Sequence, residues 1–357
     1  MDKLIKRFTA ALAILILLTA IPAYATDGFE SMDDPEEHIS TSTEEIFNAD
    51  EIRIVMTFGG DVTLGGTDDQ RKSQLGFDAV VAEQGYDWPF SAITNVLADD
   101  DLTLVNFEGA LTESNKKTEK EFNFKGPADY AFMLTGASVE AVNLANNHIM
   151  DYGAQGKQDT MDALDDAGVV YCAAGQTAIT EVNGVTVGLI GNTFPYASGR
   201  RDISKDVRDL RAKGCQIIVA SFHWGSEYEK AFGRDQRNIG RAAIDAGADI
   251  VVGHHPHIIQ GIEIYKDKYI LYSLGNLVFG GNRDPEDRDS FLARVTFTMN
   301  DMSGAVKSTE FEMIPLRVTE LSTDTDYRPV VAEGSAAERI RDRVLNLSYN
   351  VDRIMIH

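Results

Sequence analysis

Residues 249–261 read DIVVGHHPHIIQG, so three of the chain's seven histidines fall within four positions directly behind a short apolar run. A run of this length, bounded by glycine, is the pattern of a buried strand that ends in a loop. In an extended segment alternate side chains share a face. His255 and His257 are therefore expected to aim two imidazoles at one point, with Pro256 fixing the backbone between them and His254 facing the other way.

The same texture recurs upstream. EIRIVMTFGG, LTLVNFEG, VEAVNLANN, GVVYCAAG and CQIIVASFHW are apolar runs, and PFSAITNVLADD, GKQDTMDALDDAG, DVRDLRAKG and QRNIGRAAIDAGA lie between them with helical spacing. That alternation predicts an α/β fold with helices covering the outer faces of sheets. AITEVNGVTVGLIG reads as two strands about Asn183-Gly184, a dipeptide suited to a type I′ hairpin. GIEIYKDKYILYSLGN and FLARVTFTMNDMSGAVKSTEFEMIPLRV add antiparallel candidates, so the sheets are expected to be mixed. From about Glu333 helical spacing returns and closes the chain.

Ligands collect beyond the carboxyl ends of strands in open α/β sheets. Read in order, those ends carry Asp61, then Asn106 and Glu108, then Asn146, Asn147 and His148, then His223 and Glu227, then His254, His255 and His257. Any one of these alone is more often a cap or a half-buried histidine. Turns have no reason to choose Asp, Glu, Asn and five histidines at the same end of successive strands. Imidazole suits Zn, Mn or Fe and carboxylate suits harder ions, so the set predicts one or two divalent Mn, Zn or Fe ions. The expected ligands are Asp61, Glu108, Asn147, His223, His255 and His257. His148, Asn106 and Glu227 are the expected catalytic groups, with His148 placed to protonate a leaving group or bind an oxyanion. His254, Ser273 and Asn276 are expected to touch substrate or support the ligands. A serine nucleophile has no support, because no G-x-S-x-G elbow is present.

The chain has 357 residues, 43% of them hydrophobic, which is enough for a sizeable core, and a formal net charge of −23. That charge disfavours binding to nucleic acid. MDKLIKR, the apolar run FTAALAILILLTAI and AYA (Ala23 to Ala25) together read as an export signal over residues 1–25, since the run is short for a membrane span of about 20 residues. Residues 26–50 are acidic and without apolar period, and read as a flexible linker. Cys172 and Cys215 permit one disulfide or two buried thiols.

GDVTLGG, VNFEGALT, NLANNHIMDYG, FHWGSEY, VVGHHPHIIQGIE and YSLGNLVF, in this order, resemble the CapA-type poly-γ-glutamate capsule biosynthesis family, a branch of the calcineurin-like metallophosphoesterase superfamily. The resemblance implies a four-layer α/β/β/α sandwich with two mixed sheets over residues 51–325, followed by a helical tail over 326–357. It places the superfamily's opening aspartate on Asp61, its asparagine-histidine pair on Asn147 and His148, its isolated histidine on His223, and its terminal pair on His255 and His257. Glu108 is the candidate bridging carboxylate. Two departures stand out: Thr63 occupies the position of a histidine usual in the superfamily, and Asn and Glu replace a G-D-x-x-D block. The family also implies a protein secreted or membrane-anchored at the extracytoplasmic face of a bacterial cell. There it would act on poly-γ-glutamate or a related polymer, with membrane synthase subunits as partners. A non-catalytic accessory of a synthase and a generic exported phosphoesterase are the competing expectations.

Overall fold

The computed structural model describes residues 51–194, 203–300 and 304–351. The expected export signal and linker lie outside the described residues. The strands are β1 (Glu51–Thr63), β2 (Leu102–Phe107), β3 (Ala110–Leu111), β4 (Lys125–Gly126), β5 (Ala141–Asn143), β6 (Val170–Cys172), β7 (Ala178–Val182) and β8 (Val185–Phe194). They continue with β9 (Ile217–Trp224), β10 (Ile250–His254), β11 (Ile262–Tyr265), β12 (Lys268–Leu271), β13 (Asn276–Phe279), β14 (Asp289–Asn300), β15 (Val306–Arg317) and β16 (Val330–Val331). The α-helices are α1 (Asp68–Lys72), α2 (Phe77–Gln84), α3 (Thr94–Leu97), α4 (Ala131–Gly136), α5 (Gly153–Ala167), α6 (Ile203–Ala212), α7 (Arg234–Ala246) and α8 (Gly334–Leu347).

Two mixed sheets hold the chain together. The eight-stranded one runs β16-β15-β14-β1-β2-β5-β6, with β13 added against the end of β1, and the six-stranded one runs β11-β12-β10-β9-β8-β7. Ile54, Met56 and Phe58 of β1 and Leu102 and Leu104 of β2 pack in one buried cluster with Val187, Val219 and Val252 of the second sheet. The two sheets therefore meet face to face. Val105, Val142 and Val62 turn the other way, into a cluster with Phe77, Leu97, Leu134 and Leu164 of α2 to α5. Ile218, Ala220 and Val251 do the same beneath α6 and α7. The result is a four-layer α/β/β/α sandwich with two mixed sheets. Burying large β-branched and aromatic side chains between sheets is the dominant stabilising term, at about 25 cal/mol per Å² of apolar surface.

Local sequence accounts for several details. Asn183 and Gly184 both take positive φ (49° and 82°), as a type I′ turn requires, and β7 and β8 pair antiparallel across it. Gly168 and Gly247 end α5 and α7 in the left-handed conformation. The helix expected over PFSAITNVLADD is shorter than its spacing suggested: a 3₁₀ turn (Trp88–Phe90) precedes the single-turn α3, because Pro89 suits only the start of a helix. α8 begins one residue after Glu333, and its Ala337, Ile340 and Val344 join the inter-sheet core. Cys172 and Cys215 are buried free thiols rather than a disulfide.

Candidate metal centre

The site arises from a change of polarity at the end of each strand. Inward positions are apolar along β2, β5, β9 and β10 (Leu104, Ala141, Val219, Val252), and the inward positions at the carboxyl ends are polar: Asn106, Asn143, Ser221 followed by His223, and His254. Strand alternation alone puts them on one face. The register then sets them side by side, with Asp61 against Asn106, Asn106 against Asn143, and His223 against His254.

β1 needs an extra device. Residues 54, 56 and 58 face inward whereas Val62 faces the helices, so regular alternation would turn Asp61 outward. The register shifts between Phe58 and Asp61, a bulge at Gly59-Gly60 that returns Asp61 to the inner face. Gly60 is required there: a Cβ on it would lie 1.9 Å from the carbonyl oxygen of Gly275. The adjacent Asp61 amide donates to that same carbonyl at 3.0 Å.

His255 and His257 converge, but by different backbone chemistry from that expected. Both have positive φ (98° and 58°), so residues 255–258 form a tight bend rather than an extended segment. Left-handed backbone costs a non-glycine residue about 1–3 kcal/mol and persists where its surroundings over-determine it. Here the His255 amide donates to Asp61 Oδ2 at 3.3 Å, and Ser273 Oγ donates to the carbonyl of Ile258 at 2.8 Å. Ser273 thus braces the bend and does not line the site.

Three groups of ligand atoms lie mutually within 4.8 Å: Asp61, Glu108 and His257; Glu108, His223 and His255; and Glu227, His255 and His257. Asn147 Oδ1 is 2.7 Å from His223 Nε2, which places the sixth expected ligand beside the second group. His257 Nδ1 lies 3.0 Å from Asn276 Oδ1 and 3.4 Å from Asp61 Oδ2, so both side chains fix the orientation of the ring. Asn106 was expected beside the reaction, and its position contradicts that role. It is fully buried, its Nδ2 donates to Asp61 Oδ1 at 2.8 Å, and its Oδ1 accepts from Asn143 at 2.9 Å, so it orients Asp61. His254 is also buried, with Nδ1 3.8 Å from Asp61 Oδ1 and no hydrogen bond at either ring nitrogen.

Glu108 is the decisive group for a cation. It has no exposed surface, and neither carboxylate oxygen has a hydrogen-bond partner, although His223 Nε2 is 3.4 Å and His148 Nε2 3.9 Å from Oε1. A buried carboxylate left this way is costly unless a cation completes it. The fit to a divalent ion is therefore good. Burial pushes the Glu108 carboxyl well above its usual range. Burial, and then the neighbouring imidazoles, hold His223 well below the usual histidine value, and burial takes His254 down to about 4. His257 goes the other way, to about 10: burial opposes its charge, but Glu108 and Asp61 outweigh it.

Three supporting polar residues, Asp151, Lys120 and Asn143, escaped the sequence reading, whereas Asn146 stood among the strand-end residues it singled out. Asn146 Oδ1 accepts from the amides of His148 and Ile149 at 3.1 and 3.0 Å, a local turn that sets the imidazole. Asp151 Oδ2 lies 2.8 Å from His148 Nδ1 and also accepts from the Phe124 amide at 2.6 Å. Lys120 Nζ pairs with Asp151 Oδ1 at 2.5 Å, and Asn143 backs Asn106. The i, i+3 spacing of His148 and Asp151 was the one visible signal for any of them. The Phe124 ring stacks on His148 with centroids 4.4 Å apart. A cavity of about 300 Å³ opens over the groups, lined by Phe122, Phe124, His148, Glu227, Tyr228, His257 and Phe279.

With this geometry in view, comparison with known proteins is direct. The profile of the family described as bacterial capsule synthesis protein PGA_cap matches residues 55–281. This chain belongs to that family. The PGA_cap match takes in every expected site residue, from Asp61 to Asn276. Similar curated proteins include the PGA biosynthesis protein CapA of Bacillus subtilis strain 168, 30% identical over 83% of this chain and 82% of that protein. The capsule biosynthesis protein CapA of Bacillus anthracis is 30% identical over 75% of this chain and 68% of its own length. A probable polyglutamine synthesis accessory protein of Mycobacterium tuberculosis is 30% identical over 67% of this chain and 74% of that protein.

Proposed function

We propose that this PGA_cap member is an exported, metal-dependent hydrolase or transferase that acts on poly-γ-glutamate or a related acidic polymer during its synthesis, release or export. Its place would be the extracytoplasmic face of the bacterial envelope, beside membrane synthase subunits. The polymer comes from the names of the relatives, and the export from the N-terminal signal pattern. The chemistry is carried by one observation: the fully buried, unpartnered carboxylate of Glu108, shared between two groups of ligand atoms.

Asp61, Glu108, Asn147, His223, His255 and His257 would hold one or two divalent ions. A bound ion of this kind supplies a Lewis acid and a water whose pKa falls to about 7. The protein's own groups do the rest. We assign His148 the tautomer in which the Nδ1–H donates to Asp151 Oδ2 at 2.8 Å, with Lys120 Nζ 3.1 Å from the same nitrogen; Nε2 then faces Glu108 and the cavity. Nε2 of the neutral ring can take a proton from the attacking water and, as the imidazolium held by Asp151, pass it to a leaving amine or alkoxide. Phe124 stacks on the ring and restricts its rotation. The aromatic wall formed by Phe122, Phe124 and Phe279 gives the methylene groups of a glutamyl chain an apolar surface.

The test is metal content of the purified chain together with cleavage or transfer of poly-γ-glutamate. Activity that depends on metal and disappears in His255→Ala and Asp61→Ala supports the proposal. Full complementation of a deletion strain by both variants would instead establish a non-catalytic accessory, the role named for the mycobacterial relative. Efficient turnover of an aryl phosphate, with the polymer untouched, would assign a generic phosphoesterase.

A further inference from the structure

Resting on the metal-centre reading above, we propose that Glu227 is itself a metal ligand, adding a carboxylate from the loop after β9 beside His255 and His257 in a cluster to which Thr63 contributes none.

Thr63 stands where the resembling superfamily carries a histidine. Its hydroxyl is committed, donating at 2.6 Å to the backbone carbonyl of Glu108, and the residue is buried. The ligand group built on Asp61, Glu108 and His257 is therefore left with three protein donors. Glu227 has a carboxylate oxygen within 4.8 Å of ring nitrogens of both His255 and His257. It approaches from the open side of the cluster, where the cavity lies. His255 Nδ1 has no hydrogen-bond partner to compete for it.

The loop is built to hold this position. The amide of Tyr228, next to Glu227, donates to the carbonyl of Pro256 at 2.9 Å, and Pro256 separates the two histidines. Gly225 and Tyr228 take positive φ (87° and 59°), which folds the loop back toward that bend. Gln260 Nε2 then ties down the carbonyl of Glu229 at 2.8 Å. The carboxylate and the imidazoles it would serve are thus joined by direct backbone contact, although β9 and β10 are separated by α7.

The consequence is electrostatic. Two divalent ions held by Asp61 and Glu108 alone leave a net charge of about +2, and a third carboxylate lowers that to about +1 while favouring hard ions such as Mn²⁺ over Zn²⁺. A ligand on the solvent side is also the one that an incoming carboxylate of substrate must meet first.

The experiment titrates Mn²⁺ into the full chain and into Glu227→Gln, Glu227→Asp and Glu108→Gln, following free Mn²⁺ by electron paramagnetic resonance. Glu227 is exposed, so its variants keep the fold, checked by circular dichroism. One Mn²⁺ equivalent should bind at least about 10-fold more weakly in Glu227→Gln, with partial recovery in Glu227→Asp. Unchanged stoichiometry and affinity in Glu227→Gln, alongside loss in Glu108→Gln, would overturn this inference and leave the metal centre standing. No Mn²⁺, Zn²⁺ or Fe²⁺ binding by the unaltered chain would overturn both.

Discussion

Replacing Glu108 by Gln asks whether the buried carboxylate exists to hold a cation. The variant keeps the shape of a side chain with no exposed surface and removes the charge that sits 3.4 Å from His223 Nε2 and takes part in two ligand groups. A ligand that binds only the folded chain stabilises it by RT ln(1 + [L]/Kd), about 2.7 kcal/mol at 100 times Kd. If the lost carboxylate weakens binding about 100-fold, the same metal concentration stabilises the variant by only about 0.4 kcal/mol. At roughly 2 °C per kcal/mol for a chain of this size, added Mn²⁺ should raise the melting temperature by about 5 °C in the unaltered protein and about 1 °C in the variant. Differential scanning calorimetry with and without Mn²⁺ reads both increments. Equal increments in the two proteins would refute the claim that Glu108 is a shared ligand.

Three further outcomes follow from the coordinates. Gly60→Ala puts a Cβ 1.9 Å from the Gly275 carbonyl oxygen, so urea unfolding should show a loss of at least about 3 kcal/mol. Asp151→Asn removes the carboxylate charge and can turn an amide N–H toward His148 Nδ1, which favours the wrong tautomer, so polymer turnover should fall at least about 10²-fold while bound metal stays constant; a parallel loss of metal would contradict the orienting role. Asp100 lies away from the site, and burial raises its carboxyl from 3.8 to about 6. The folded chain thus binds this proton more tightly than the unfolded chain, so its contribution is favourable below about 4 and is lost as pH rises through about 6. Asp100→Asn should flatten that part of the stability profile and add about 1 kcal/mol at neutral pH after allowance for solvent screening, measured by urea midpoints across pH 4–8.

The cluster lies at the open end of the sandwich for a physical reason. Between the sheets, Phe58, Leu104, Val219 and Val252 make a dry core in which a lone carboxylate would be prohibitively costly. At the strand ends the sheets no longer close on one another, and loops bring amide, imidazole and carboxylate groups together. Each group there offsets the desolvation of the next. Asn106 ties Asp61, Asn276 ties His257, and Lys120 offsets Asp151. Among the site's buried carboxylates, Glu108 is the one left with both oxygens unmatched.

The sequence by itself determined the layered α/β plan, the Asn183-Gly184 hairpin and the polar character of five strand ends, because periodicity and turn chemistry are local properties that a short window contains. It also exposed the candidate ligands, since histidines and acids behind apolar runs are visible one strand at a time. Only the tertiary structure decided how those ends meet: the Gly59-Gly60 bulge that turns Asp61 inward, the left-handed bend that replaces an extended His255-Pro256-His257, and the withdrawal of Asn106 and Ser273 from the cavity. Asp151 and Lys120 came to light in the same way. Their roles depend on distances across the sheets and between loops far apart in sequence, and such distances are set by register and packing, which no single segment of the chain contains.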